Sequence, residues 1–316
     1  MKTQKLFLFL FLLLVLVSKS VWAGEEIQLK IEPGTLYGTL EPADSVDQCP
    51  VVLIIQGSGP TDRDGNNSLA GINNSLKYLA EALASKGIAS LRYDKRGTGK
   101  SHYIGLKEED LRFEDYINDA VLWCNKLRES PGFSKLIILG HSEGSLIGIV
   151  AARKAGADAF VSIAGPGYPA SNIILTQIKE KLPEDTFREC EKIVNRLNQG
   201  KITENISSVL FSLFRPSVQP YLISWFRYDP VKEISRLDIP ILITQGTTDI
   251  QVSVDNSKIL SVSNKKAKLV IIEGMNHILK EIPDNMQQQL LSYSNPGLPV
   301  MPELVEQIGR FIEELN

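Results

Sequence analysis

The residues of this 316-residue chain best suited to do chemistry form the pentapeptide Gly140-His141-Ser142-Glu143-Gly144. It follows the apolar run Leu136-Ile137-Ile138-Leu139 and precedes a helix-like stretch from Ser145 to Lys154, so a strand, a tight turn and a helix succeed one another. The backbone of such a turn is crowded. Flanking glycines let strand and helix approach, and the serine hydroxyl is pushed out above the sheet edge. The pattern presents Ser142 as a nucleophile. The bare pattern arises by chance in roughly one chain in ten of this length, so its weight comes from the flanking elements and from partners elsewhere.

A serine hydroxyl is a poor nucleophile until a base takes its proton, and the base needs a carboxylate to fix its tautomer and stabilise the imidazolium. The chain has three histidines. His141 lies inside the turn, where its ring cannot reach the neighbouring hydroxyl in the required geometry, and His102 precedes both the turn and the candidate acids. His277 remains, in a loop after the strand-like run Leu269-Val270-Ile271-Ile272. The acid is expected just before it. Ile241 to Thr244 runs into Gln245-Gly246, and Asp249 follows three residues later; Asp255 is the reserve candidate, further on where a helix begins.

These groups need a scaffold, and the chain supplies alternating β-rich and helical runs. Ile27 to Ile31 and Thr35 to Leu40 read as an opening hairpin, and Val51 to Gln56 as a buried, parallel strand. Then come a helix over Leu76 to Ser85, a strand over Ile88 to Tyr93 and a helix over Phe113 to Leu127. The elements around Ser142 follow, and then a strand from Ala159 to Ala164. From Ala170 to about Arg236 the pattern is helical only; strands resume at Ile241 and Leu269, and a helix from Pro302 to Leu315 closes the chain. Strands joined by helices imply a mostly parallel twisted sheet flanked by helices, with ligands at the carboxyl ends of the strands. The helical interval reads as a cap inserted at about 168–236 in a domain spanning 24–316.

With its Ser142, Asp249, His277 order, the chain resembles the α/β-hydrolase superfamily over nearly all of residues 24–316. The resemblance implies the α/β-hydrolase fold, with Ser142 as nucleophile, Asp249 as orienting acid and His277 as general base. A tetrahedral intermediate needs two N–H donors: the first is the backbone of Glu143, and the resemblance assigns the second to Ser58. Relatives often have His-Gly where this chain has Gln56-Gly57. The segments Gln56 to Pro60, Asp62 to Asn66, Arg92 to Gly99 and Arg227 to Pro230 look like a branch of exported bacterial esterases and serine-aminopeptidase-like hydrolases. The expected function is cleavage of a small carboxylic ester through an acyl-enzyme, with no cofactor and no metal. The rivals are a serine aminopeptidase, for which Glu184, Asp185, Glu189 and Glu191 offer carboxylates, another acyl hydrolase, and a catalytically silent binding protein of the same fold. Phe211, Phe214, Trp225 and Phe226 are candidates for an acyl pocket, and Arg63 and Asp64 for substrate contact.

Lys2 and Lys5, the apolar run Leu6 to Val17 and Val21-Trp22-Ala23 read as a signal peptide over 1–23. An exported, periplasmic or secreted product without a stable membrane anchor is expected. Its cleavage would remove three lysines and take the net charge from −3 to −6, which disfavours nucleic acid as a partner. Cys49, Cys124 and Cys190 allow at most one disulfide. Gly99-Lys100-Ser101 lacks the earlier glycine of a phosphate loop, and Asp62, Asp64 and Asn66 lack the glycine and glutamate of a calcium loop. The Asp94-Lys95-Arg96-Gly97 segment reads as a strand-end turn with a structural charge pair.

Overall fold

The computed structural model describes residues 24–44 and 48–315; the expected signal peptide lies outside the described residues. In chain order it contains β1 (Glu25–Lys30), β2 (Thr35–Glu41), β3 (Cys49–Ile55), α1 (Ser75–Ala84), β4 (Ala89–Tyr93), α2 (Phe113–Arg128), β5 (Phe133–His141), α3 (Glu143–Ala155) and β6 (Ala159–Ile163). Five helices follow without a strand: α4 (Ala170–Lys179), α5 (Glu184–Asn198), α6 (Phe211–Phe214), α7 (Gln219–Trp225) and α8 (Pro230–Ile234). The alternation then resumes with β7 (Ile241–Gly246), α9 (Val254–Val262), β8 (Ala267–Ile272), α10 (Met286–Ser292) and α11 (Pro302–Glu313).

The eight strands form one sheet in the order β1-β2-β4-β3-β5-β6-β7-β8. The β1–β2 hairpin is antiparallel and joins β4 antiparallel, while β4 through β8 and β3 between them run parallel. Strand periodicity divides the interior into two layers. Val51, Leu53, Ile55, Leu136 and Ile138 face one core with α2, α3 and the five-helix interval. Val52, Ile54, Ile137 and Leu139 face the other, filled by Leu76, Leu79 and Leu83 of α1 and Leu304, Ile308 and Phe311 of α11. Because both faces are covered, the central strands are apolar at most positions, which is why β3 and the middle of β5 read as continuous hydrophobic runs.

The helical interval is anchored to α2 by aromatic packing. Phe113 stacks on Trp225 with ring centroids 5.9 Å apart, and Tyr116 meets Tyr221 at 5.4 Å. The Phe113 N–H, one of the orphan donors of the first turn of α2, donates to the Ser224 hydroxyl at 2.8 Å. Asp229 caps α8, which has Pro230 at its first position. Among the described residues no helix is long and apolar enough to cross a membrane. All three cysteines are free and buried.

Candidate active site

Each candidate residue sits just past the carboxyl end of a parallel strand, so the parallel sheet brings distant segments to one rim. Ser142 follows β5, with φ 55° and ψ −122°. That conformation is unfavourable for a residue with a Cβ and stores about 1–3 kcal/mol, held here by the packing around it. A methyl group at Gly140 would overlap the Gly144 carbonyl, and one at Gly144 would overlap the carbonyls of Ile55 and Gln56. Both glycines are therefore steric requirements of the turn. The Ser142 N–H donates to the Ile163 carbonyl at 2.9 Å, fixing the turn against the end of β6.

Asp249 and His277 hang from the exits of β7 and β8. Gly246 makes their approach feasible, since a Cβ there would overlap the Met275 carbonyl oxygen. The two exits are then laced by Thr248 N–H to Met275 O at 3.2 Å and Gly274 N–H to the Thr247 hydroxyl at 2.9 Å. The result is a hydrogen bond of 2.8 Å from His277 Nδ1–H to Asp249 Oδ2, both side chains buried. With Nδ1 donating, Nε2 of the neutral ring keeps its lone pair. Asp249 also accepts from the N–H groups of Gln251 at 2.7 Å and Val252 at 2.9 Å, and from Gln245 Nε2 at 2.9 Å. Burial works to raise the Asp249 carboxyl, but an imidazolium charge and hydrogen bond at His277 and the N–H groups of Val252 and Gln251 outweigh it and hold it below its usual range. Asp255, the reserve acid, lies in α9 and pairs with Lys258 at the surface.

His141 ties the serine turn to the histidine loop. Its Nε2–H donates to the His277 carbonyl at 2.8 Å, and the two rings lie 4.8 Å apart. Burial, then the charge of His277, pushes the His141 imidazole down to about 3, so it is neutral and acts as a fixed donor.

After β3 the chain turns through Gln56-Gly57-Ser58. The Gln56 amide is buried and donates to the Tyr93 carbonyl at 2.8 Å. A Cβ on Gly57 would lie 3.2 Å from Ser142 Cβ, so the loop passes close beside the candidate nucleophile. The N–H groups of Ser58 and of Glu143, at the start of α3, have no acceptor among the described residues.

Ser58, Ser142 and Glu143 line a cavity of about 660 Å³. The five-helix interval contributes Ile173, Ile174, Phe214, Tyr221, Leu222 and Trp225 to its wall. Of the expected acyl-pocket residues, Phe214 and Trp225 reach the cavity, whereas Phe211 and Phe226 do not. Arg63 and Asp64 are also absent from its wall, because Arg63 is buried against Asp94 and Asp64 receives Arg92. Glu184, Asp185, Glu189 and Glu191 likewise lie elsewhere; Glu184 pairs with Arg188, and Glu189 accepts from Ser207 N–H. The two carboxylates that do line the cavity are both neutralised, Glu143 by Lys95 at 3.0 Å and Glu108 by Arg215.

Three features escaped the sequence reading. Gln245 had a signal, a polar residue inside an otherwise apolar buried strand end. The Glu143 partner of Lys95 and the Glu108–Arg215 pair had none, because their members lie 48 and 107 residues apart. Asp62 shows no sign of a cation: its carboxylate accepts the N–H groups of Asp64 and Asn66, both at 2.9 Å, and shapes a turn. Among the described residues no cluster of His, Cys, Asp and Glu could hold a metal.

A mostly parallel eight-stranded sheet, flanked by helices and bearing Ser142, Asp249 and His277 at the exits of β5, β7 and β8, defines an α/β-hydrolase fold. Known structures of α/β-hydrolases share this fold. Residues 71–202 match the serine aminopeptidase (S33) family. A curated relative, esterase EstD of Thermotoga maritima, is 31% identical over 268 residues, an alignment spanning 83% of this chain and 62% of that protein's length. Est1E of Butyrivibrio proteoclasticus shares the fold at a TM-score of 0.62 and 18% identity, covering 93% of this chain and 99% of that one. A thermophilic esterase of Thermogutta terrifontis aligns at 0.56 and 17%, covering 93% and 99%.

Proposed function

We propose that this protein is a serine hydrolase that cleaves small carboxylic esters. The observation that carries the reading is the 2.8 Å bond from His277 Nδ1–H to Asp249, made at the rim that also holds Ser142. In this mechanism Ser142 Oγ attacks the ester carbonyl carbon as its proton passes to His277 Nε2, and the N–H groups of Ser58 and Glu143 hold the oxyanion. The carbonyl re-forms as the alcohol leaves with the proton from His277. Water, activated by the same imidazole, then releases the acid and restores the serine. Asp249 keeps His277 in the required tautomer and balances its transient charge.

The second reading, a serine aminopeptidase, is favoured by the family matched over residues 71–202. Such an enzyme needs an uncommitted carboxylate to hold the substrate ammonium, and Glu108 and Glu143 are both committed to cations. The ester reading is therefore preferred, and it agrees with the relative named as an esterase. The apolar helical interval acts as the cap of the acyl pocket. Export through residues 1–23 belongs to the same reading, and a purified product beginning at Gly24 would support it.

A fluorophosphonate probe should label the wild type and leave Ser142→Ala unlabelled. Hydrolysis of p-nitrophenyl acetate should fall about 10³-fold or more in Ser142→Ala. Faster turnover of an amino-acid p-nitroanilide than of the ester would select the aminopeptidase, and an unlabelled wild type would select the silent binding protein.

A further inference from the structure

We propose that Lys95 is a positioning residue that aims the Ser58 N–H at the oxyanion, by gripping the carbonyl on the other side of the same peptide bond. The inference rests on the ester-hydrolase reading above. Lys95 follows β4 by two residues, and its side chain is 1% exposed. Its ammonium donates to the Gly57 carbonyl at 2.7 Å and to Glu143 Oε1 at 3.0 Å, and lies 5.0 Å from the centre of the Tyr116 ring.

The peptide joining Gly57 to Ser58 is trans and planar, so its C=O and N–H point in opposite directions. Holding the Gly57 oxygen therefore turns the Ser58 N–H away from the ammonium, on a loop that lines, as Lys95 itself does, the cavity beside Ser142. A full positive charge on the carbonyl also polarises the amide and strengthens its N–H as a donor. The second expected donor, the Glu143 N–H, belongs to the residue whose carboxylate Lys95 neutralises. One buried ammonium thus meets both arms of the hole. It fixes the peptide of one donor and cancels a negative charge beside the place where the oxyanion develops. A purely structural ion pair would need only the Glu143 contact; the bond to Gly57 O is what assigns the positioning role.

The test compares wild type, Lys95→Met and the double variant Lys95→Met/Glu143→Gln on p-nitrophenyl acetate, with thermal melting to establish folding. Lys95→Met should lower kcat by about 10–100-fold and leave KM within about twofold, because the hole acts on the transition state and not on the bound ester. The double variant contains no unpaired buried charge, and it should keep the deficit because the Gly57 carbonyl is still ungripped. A folded Lys95→Met enzyme with wild-type kcat overturns the proposal. So does recovery of wild-type kcat in the double variant, which would trace the loss to a stranded carboxylate. If Lys95→Met does not fold, the double variant decides alone. A wild type without Ser142-dependent ester hydrolysis sinks the esterase reading itself, and the role of Lys95 with it, before any variant is compared.

Discussion

His141 and His277 face each other across 4.8 Å, yet they serve different purposes. His277 is the candidate base, whereas His141 is a buried neutral donor that binds the His277 backbone. The unfolded chain protonates residue 141 near the ordinary histidine value of 6.5, but the fold delays this until about 3. Between those values the unfolded state holds the extra proton, so stability must fall as pH falls through that window, by up to about 1.4 kcal/mol per pH unit. Replacing His141 by Gln removes the titration and leaves an amide able to donate. Urea unfolding at pH 7, 6, 5 and 4 should give a shallower decline for His141→Gln than for wild type; parallel slopes would contradict the assignment. At this scale the placement of Ser142, Asp249 and His277 at strand exits was legible because each follows an apolar run, and parallel strands end at one rim. Lys95 was legible as charged but not as buried, since its Glu143 and Gly57 partners come from other strand exits.

The exits of β7 and β8 work as one element. Gly246 sits where any Cβ strikes a backbone oxygen, a neighbour that cannot rotate away. Gly246→Ala should lower the melting temperature by about 5 °C or more and reduce ester turnover at least about tenfold, because the loops carrying Asp249 and His277 are forced apart. Gly156→Ala makes a clean comparison. Gly156 is left-handed with open space around it, so the same substitution should lower stability by only about 1 kcal/mol and leave turnover unchanged. Equal turnover in the two variants would remove the argument for the Gly246 contact. Elements with a buried periodic face were readable in advance, such as β3, whose successive residues serve two cores. The helix α10 was not, because it is only 7 residues long, too short for its apolar positions Met286, Leu290 and Leu291 to repeat a helical period.

Across the whole molecule, the five-helix interval meets the sheet domain at a charged latch. Arg215, just past α6, pairs with Glu108, which lies between β4 and α2, and the Ser217 hydroxyl donates to the same carboxylate. Burial alone would raise the Glu108 carboxyl, but Arg215 and Ser217 bring it below its ordinary value. Both Arg215 and Glu108 line the cavity. The latch is partly solvated, so its removal should cost little stability, within about 1 kcal/mol. Arg215→Ala should instead loosen the cavity wall, raising KM for p-nitrophenyl butyrate about threefold or more with kcat within about twofold. Unchanged KM would confine the pair to a surface role. The helical interval itself was visible as an interruption of the strand alternation. Its docking was not, because Phe113, Trp225 and Tyr221 read equally well as ordinary core residues until their ring contacts were placed.

The division of labour around the cavity follows from the order of the chain. The candidate catalytic groups hang from strands gathered out of four separate stretches, whereas much of the facing wall is one uninterrupted run between β6 and β7. A recombination event that exchanged that run would replace the chamber and spare the machinery. A differently shaped chamber is thus within reach of a single genetic splice that leaves the sheet rim untouched.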